Sequence, residues 1–172
     1  MKKTNDITQE KLADVFKAER AHLLRYACYR LGNEDDAKDV LQDTFLKLHT
    51  RIADTDDLQI NNLRSYIFRT LTNICAKWQT LTNRVKTVQL DKRMDVVETS
   101  DHENEVDYRR IVHLLTEIPD EQAEVIRLRI YGDNSFAEVA EFLSLPLPTV
   151  KSRFLYGLEK LRKGMKKTIN ND

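Results

Sequence analysis

Ala37, Val40, Leu41, Thr44, Phe45 and Leu48 recur at i, i+3, i+4, i+7, i+8 and i+11. A strand buries alternate residues, whereas this spacing places one apolar stripe on a 3.6-residue helix. The segment is therefore committed to an amphipathic α-helix that must find partners for its stripe. Four Gly and three Pro in 172 residues leave little turn chemistry for an all-β chain. The expected fold is all-α, as two small helical domains joined by a flexible linker, the second containing a helix-turn-helix.

The stripe has neighbours of the same kind. Leu12, Phe16, Leu23, Ala27 and Leu31 line a preceding helix that Gly32 stops. Thr8 reads as its N-cap, with Ile7 and Leu12 as a hydrophobic staple. Asn33 reads as the cap of the second helix, where Glu34, Asp35 and Asp36 face the positive end of its dipole. Residues 52–62 are polar and read as a loop. A third helix, from about Leu63 to Asn83, carries an apolar seam of Leu63, Ile67, Leu71, Ile74, Trp78 and Leu81. These three helices make residues 10–85 a first domain, and 86–106 read as a linker.

From Asp107 the period returns. Ile111, Leu114, Leu115 and Ile118 form a short helix ended by Pro119, which opens the next with Asp120 and Glu121. Val125, Leu128 and Ile130 carry that helix to Tyr131-Gly132, and Ser135 caps another short one. Pro146-Leu147-Pro148 reads as a turn before a final helix from about Thr149, which completes a second domain over 107–168.

The formal net charge is zero, yet charge is segregated. Residues 58–94 hold seven basic and one acidic residue, 149–172 hold seven and two, and 95–124 hold ten acidic against two basic. A polyanion feels the local patch within a screening length of about 10 Å, not the sum. Two basic surfaces held apart by an acidic spacer suggest two contacts with one nucleic acid.

Each surface has its own chemistry. Tyr66, Arg69, Asn73, Lys77, Thr80 and Arg84 share one face of the third helix, which carries no carboxylate. Aromatic rings among cations suit a single strand, whose free bases stack while the backbone is neutralised. Residues 136–162 read as helix, short turn and helix, with Val139, Ala140, Leu143, Leu145 and Val150 packing between the two. The last helix buries Val150, Phe154, Leu158 and Leu161 and exposes Thr149, Ser152, Arg153, Tyr156 and Lys160. Hydroxyls and an arginine at a helix N-terminus suit the edges of duplex bases in the major groove. Lys151, Arg162, Lys163, Lys166 and Lys167 would reach phosphates.

Asp36-Ala37-Lys38-Asp39-Val40-Leu41-Gln42-Asp43-Thr44-Phe45 resembles the region 2.2 signature of bacterial sigma factors. Asn62-Leu63-Arg64-Ser65-Tyr66-Ile67 through Thr72-Asn73 resembles the part that binds the −10 promoter element. Phe136–Ala140 followed by Thr149–Arg153 resembles region 4.2, which reads the −35 element. In this order and length the chain is similar to the extracytoplasmic-function (ECF) group of the sigma-70 family. The resemblance implies a helix docked on the β′ clamp of core RNA polymerase through Asp36, Asp39, Gln42, Asp43 and Leu46. It implies single-strand −10 contacts by Tyr66, Arg69, Asn73 and Lys77, and duplex −35 contacts by Thr149, Lys151, Ser152, Arg153, Tyr156 and Lys160. Its implied partners are core polymerase (β′ clamp and β subunits), promoter DNA and an anti-sigma factor. The chain departs from the family where Lys77 replaces Asp, Ala123 replaces Arg, and Ser144 and Pro148 replace Gly.

Other chemistry finds no pattern. There is no glycine-rich phosphate loop, and His22, His49, His102 and His113 lack metal-ligand spacing. No enzyme and no cofactor are expected. Cys28 and Cys75 form no disulfide framework and read as buried thiols in a reduced cytoplasmic protein. The MKKTNDITQE start is unlike a signal peptide, and no membrane insertion is expected. A stand-alone helix-turn-helix regulator shares the 136–162 pattern; it gives no reason for an acidic helix face beside a basic aromatic one.

Overall fold

The computed structural model describes residues 2–55, 60–86 and 102–171, with side chains for 9–55, 60–82 and 105–171. Every regular element among them is helical. The order is α1 (Lys2–Leu31), α2 (Glu34–Asp54), α3 (Leu63–Lys86), α4 (His102–Glu117), α5 (Asp120–Ile126), α6 (Phe136–Leu143) and α7 (Leu147–Asn170). Between α5 and α6 the chain widens into a π-turn, Arg127–Tyr131.

Local signals explain most of the ends. The Asn33 side chain accepts from Asp36 N at 3.1 Å, so the expected cap of α2 is present. Gly32 stops α1 at φ +73, and a Cβ there would lie 3.1 Å from Val112 Cγ1 of α4. Asn62 caps α3 by accepting from Ser65 N at 3.1 Å. Ser135 and Glu138 form a full capping box at α6.

Other expectations are corrected. Helix α1 begins at Lys2, so Thr8 lies inside it and is no N-cap. Helix α2 continues to Asp54 with Ile52 fully buried, which removes the start of the 52–62 loop. Helix α4 starts at His102, inside the expected linker, and residues 87–101 lie outside the described residues. Leu147 and Pro148 form the first turn of α7 rather than a turn before it, because proline at an early helical position loses no intrahelical hydrogen bond. On α3 the buried face is Ile67, Phe68, Leu71 and Cys75, while Leu81 is 61% exposed.

Helices α1, α2 and α3 bury Leu12, Leu23, Tyr26, Leu41, Leu48, Phe68 and Leu71 in one core. That core continues into Val125, Leu128, Val139, Phe142 and Val150 of the second half. A smaller cluster, Leu115, Ile118, Ala123 and Ile126, ties α4 and α5 to α7. Ala123 is fully buried there. Helix α7 crosses α5 at Gly157, where a Cβ would come within 2.7 Å of Ile126 Cδ1.

The two basic surfaces are therefore not held apart. Helix α1 packs on the π-turn and α3 on α6. Phe68 stacks on Phe142 at 5.2 Å and Tyr29 on Tyr131 at 3.5 Å. The charge pattern carries no information on how the halves meet.

Candidate functional site

On α2 the buried stripe turns Asp39, Gln42, Asp43 and Leu46 to the opposite, exposed side, and Asp36 lies half-buried at its edge. Leu46 is 53% exposed. No basic side chain among the described residues pairs with Asp39 or Asp43. The face offers uncompensated carboxylates around one apolar side chain, which suits a basic helical partner.

On α3, Asn73 and Lys77 are exposed on the face they share with Tyr66 and Arg69. Tyr66 is half-buried against the core. Arg69 is not free: its Nη2 donates to Glu141 O at 2.8 Å and to Ser144 Oγ at 3.0 Å. Arg84 belongs to α3, but its side chain lies outside the described residues.

Helices α6 and α7 meet as a helix-turn-helix across Ser144–Pro146, with Val139 and Val150 fully buried between them. Ser144 ends α6 in the left-handed region at φ +53, the conformation that explains why glycine is common at such a turn. Thr149, Ser152, Arg153, Tyr156 and Lys160 fall on one side of α7; Tyr156 is 60% exposed, and Thr149 is half-buried. Arg153 leans toward Glu121 of α5, with Nη2 and Oε2 3.8 Å apart. Lys151 is exposed on the other flank, beside Leu155 and Arg162, so the structure does not group it with the other five.

Sequence reasoning missed the polar contacts between the halves. Arg30 of α1, nearly buried, reaches Glu124 Oε2 at 3.0 Å and Asp120 Oδ1 at 3.1 Å. The buried Tyr26 hydroxyl donates to Glu124, and Arg127 Nη1 lies 3.5 Å from the same carboxylate. Burial pushes the Tyr26 phenol well above its ordinary pKa, with help from Glu124. Burial opposes the Arg30 charge, yet Glu124, Tyr26 and Asp120 outweigh it and raise its pKa. Arg64 of α3 bridges Glu19 of α1 and Glu138 of α6, each at 3.2 Å. The Tyr108 hydroxyl of α4 donates to Cys28 O at 2.7 Å. An arginine spaced i+4 from a core tyrosine was the only local hint.

No cluster of three or more His, Cys, Asp or Glu able to hold a metal occurs among the described residues. No helix among them is long and apolar enough to cross a membrane. Burial pushes the Cys28 thiol up to about 11, with Glu34 adding and Lys38 opposing, and it raises the Cys75 thiol further. Both thiols are held in the protonated, weakly nucleophilic form.

The family model for Sigma-70 region 2 matches residues 15–83, and that for Sigma-70, region 4 matches residues 114–163. The ECF RNA polymerase sigma factor SigW of Bacillus subtilis (strain 168) is 27% identical, over 90% of this chain and 87% of that one. The RNA polymerase sigma factor YlaC of the same organism is 22% identical, over 93% and 95%. Among solved structures, CnrH in complex with the cytosolic domain of CnrY aligns with a TM-score of 0.68 at 21% identity, over 92% of this chain and 90% of that one. The sigma factor RpoE in complex with the anti-sigma factor NepR from Bartonella quintana aligns at 0.64 and 23%, over 94% and 97%. Region 2 thus falls on α1–α3 and region 4 on α4–α7, and this chain belongs to the sigma-70 family as a sigma factor of the ECF group.

Proposed function

We propose a division of labour within this sigma factor. The α2 face of Asp36, Asp39, Gln42, Asp43 and Leu46 docks on the β′ clamp of core RNA polymerase. Tyr66, Arg69, Asn73 and Lys77 hold the melted −10 strand, with ring stacking and charge neutralisation at one surface. Thr149, Ser152, Arg153, Tyr156 and Lys160 enter the major groove of the −35 duplex, and Lys151 contributes from the flank to phosphate contacts. The halves correspond to a unit over 10–85 and a unit over 107–168.

The observation that supports this best is that one chain carries an acidic helix face with no ion pair to Asp39 or Asp43 among the described residues, a cationic aromatic face and an exposed recognition helix. A regulator acting alone on duplex DNA needs only the last. An anti-sigma partner follows from the likeness to RpoE, which was solved with one. A cytoplasmic location follows from work on polymerase.

Run-off transcription from a promoter library, with core polymerase in the presence and absence of the chain, tests the whole reading. Promoter-specific transcripts that require the chain are expected. Tight, specific duplex binding by the chain alone, with core polymerase unaffected, would replace it with the regulator.

A further inference from the structure

The proposed reading face of α7 carries two cations, Arg153 and Lys160, and their surroundings differ. Lys160 is exposed, and no carboxylate among the described residues pairs with it. Arg153 has Glu121 of α5 beside it, with Nη2 and Oε2 3.8 Å apart. Packing sets this placement. Gly157, one turn beyond Arg153, lets α5 come so near that a Cβ there would lie 2.7 Å from Ile126 Cδ1 and 3.2 Å from Gln122 Cβ. The residue before Gln122 is thereby delivered to the residue one turn before Gly157. The fold does not need this carboxylate: the Glu121 side chain is 62% exposed, and Asp120 already gives the first turn of α5 a negative charge.

A carboxylate at that spot treats the two targets of an arginine differently. Duplex DNA carries a phosphate charge for about every 1.7 Å of its axis, so a free guanidinium meets phosphate at every register. A phosphate that takes Arg153 brings its own negative charge up to Glu121, and the two anions repel. Guanine offers O6 and N7, which are neutral acceptors. Turning to a base edge therefore loosens the pair without bringing a second anion to Glu121. The pair is weak in solvent, which leaves the guanidinium free to turn. Glu121 acts on the difference between the two targets, and specificity is such a difference.

We propose that Glu121 is a specificity-determining residue for the −35 element, acting through Arg153. It disfavours capture of that arginine by backbone phosphate and leaves the reading of guanine open. Lys160, with no such neighbour, supplies an unselective part of the affinity. A residue of α5, outside the helix-turn-helix and touching no base, thus tunes what α7 reads. At a separation of about 5 Å in a water-like medium, the repulsion amounts to about two- to four-fold in affinity once salt screening is included. The inference rests on the assignment of Arg153 to the −35 face.

Glu121→Gln keeps the shape and removes the charge. Holoenzyme made with the full chain is titrated, at fixed salt, against a promoter recovered from the library above and against the same promoter with its −35 element scrambled. The ratio of the two affinities is the measure of discrimination. E121Q should lower that ratio by about two- to four-fold, through tighter binding to the scrambled promoter. Glu121→Asp, which keeps the charge, should hold the ratio nearer the parent. Arg153→Ala should also lower it, and adding E121Q to R153A should have no further effect, because the carboxylate acts on that arginine. An unchanged ratio in E121Q, with R153A lowering it, overturns the role of Glu121 alone. An equal effect of E121Q with and without Arg153 also overturns it, since general charge would then be the cause. If R153A keeps the full ratio, the −35 assignment of Arg153 falls and the role of Glu121 falls with it.

Discussion

Region 2 and region 4 of this chain are built to different degrees of self-sufficiency. Helices α1–α3 bury a contiguous set of large side chains, among them Leu12, Leu23, Tyr26, Leu41, Leu48 and Leu71, from three long elements. Region 4 has only Leu115, Ile118, Ala123 and Ile126 in a buried cluster of its own. Five further buried residues of this half, Val125, Leu128, Val139, Phe142 and Val150, join the region 2 core instead. A unit with a small core gains little from burial against the entropy of ordering its backbone. Region 2 is therefore the platform, and region 4 is stabilised by leaning on it, through an apolar stack and a polar cluster with different consequences when broken.

Truncation of each core should show the asymmetry most strongly. Leu41→Ala opens a cavity in the platform and should cost about 2–5 kcal/mol, lowering the urea midpoint of the whole chain. Leu115→Ala removes the same atoms from the small cluster. It should release the amides of α4–α7 to rapid hydrogen exchange while those of α1–α3 stay protected. Equal loss of protection in both halves would mean that the chain is one cooperative unit.

The polar contact comes next in size. Glu124→Gln keeps the shape but leaves Arg30 and Arg127 facing a neutral amide at a nearly dry site. Breaking such a pair costs about 3 kcal/mol, and less where the halves can separate and let water in. The expected outcome is an expanded chain by scattering, with the helical content of α1–α3 unchanged. A compact variant with unaltered stability would show that the cluster does not hold region 4.

The same surface predicts a pH limit. Burial raises the Tyr26, Tyr108 and Tyr131 phenols, the last to about 12, and each sits where α1 meets region 4. Around Tyr26, Glu124 and Cys75 raise the pKa further while Arg30 opposes. Separation would return these phenols toward the ordinary value of about 10. The closed form binds more protons than the open one above that value, so closure is fully stable below about pH 10 and is lost as pH rises beyond it. Scattering across the alkaline range should show expansion before the helical signal of α1–α3 falls.

What the sequence revealed of this arrangement follows range. The α2 stripe and the Asn33 and Ser135 caps involve residues within one or two turns, and each is present. The α1 start went astray because Thr8 is a good cap only if no helix already precedes it. Ile52 continues the period of Leu48 at i+4, but the polar residues around it hid the last turn of α2. On α3 the seam was set one step too far round, toward Ile74 and Leu81. Phe68 is buried where Phe142 of α6 stacks on it, a contact that the period of α3 does not show. Contacts such as Tyr26–Glu124, 98 residues apart, leave no periodic trace at all. The candidate faces were legible because they are the complements of local stripes; the occupation of Arg69 was not, because it needs the other half of the chain.

The smallest effect concerns a single side chain on the dependent half. Arg153 sits on the exposed side of α7 with its guanidinium drawn toward Glu121 at 3.8 Å, a partly exposed pair of little strength. Leaving Glu121 for a guanine edge therefore sacrifices little, and a bidentate base contact is worth about 1–3 kcal/mol. Arg153→Ala should reduce initiation at promoters that depend on the −35 element by a matching factor and leave core binding unchanged. Asp39→Lys with Asp43→Lys on the platform should do the opposite, weakening core binding in a pull-down while duplex binding by region 4 persists. If Arg153→Ala also weakens core binding, α7 serves polymerase rather than DNA. Region 4 would then lean on a second protein surface as it leans on α1 and α3.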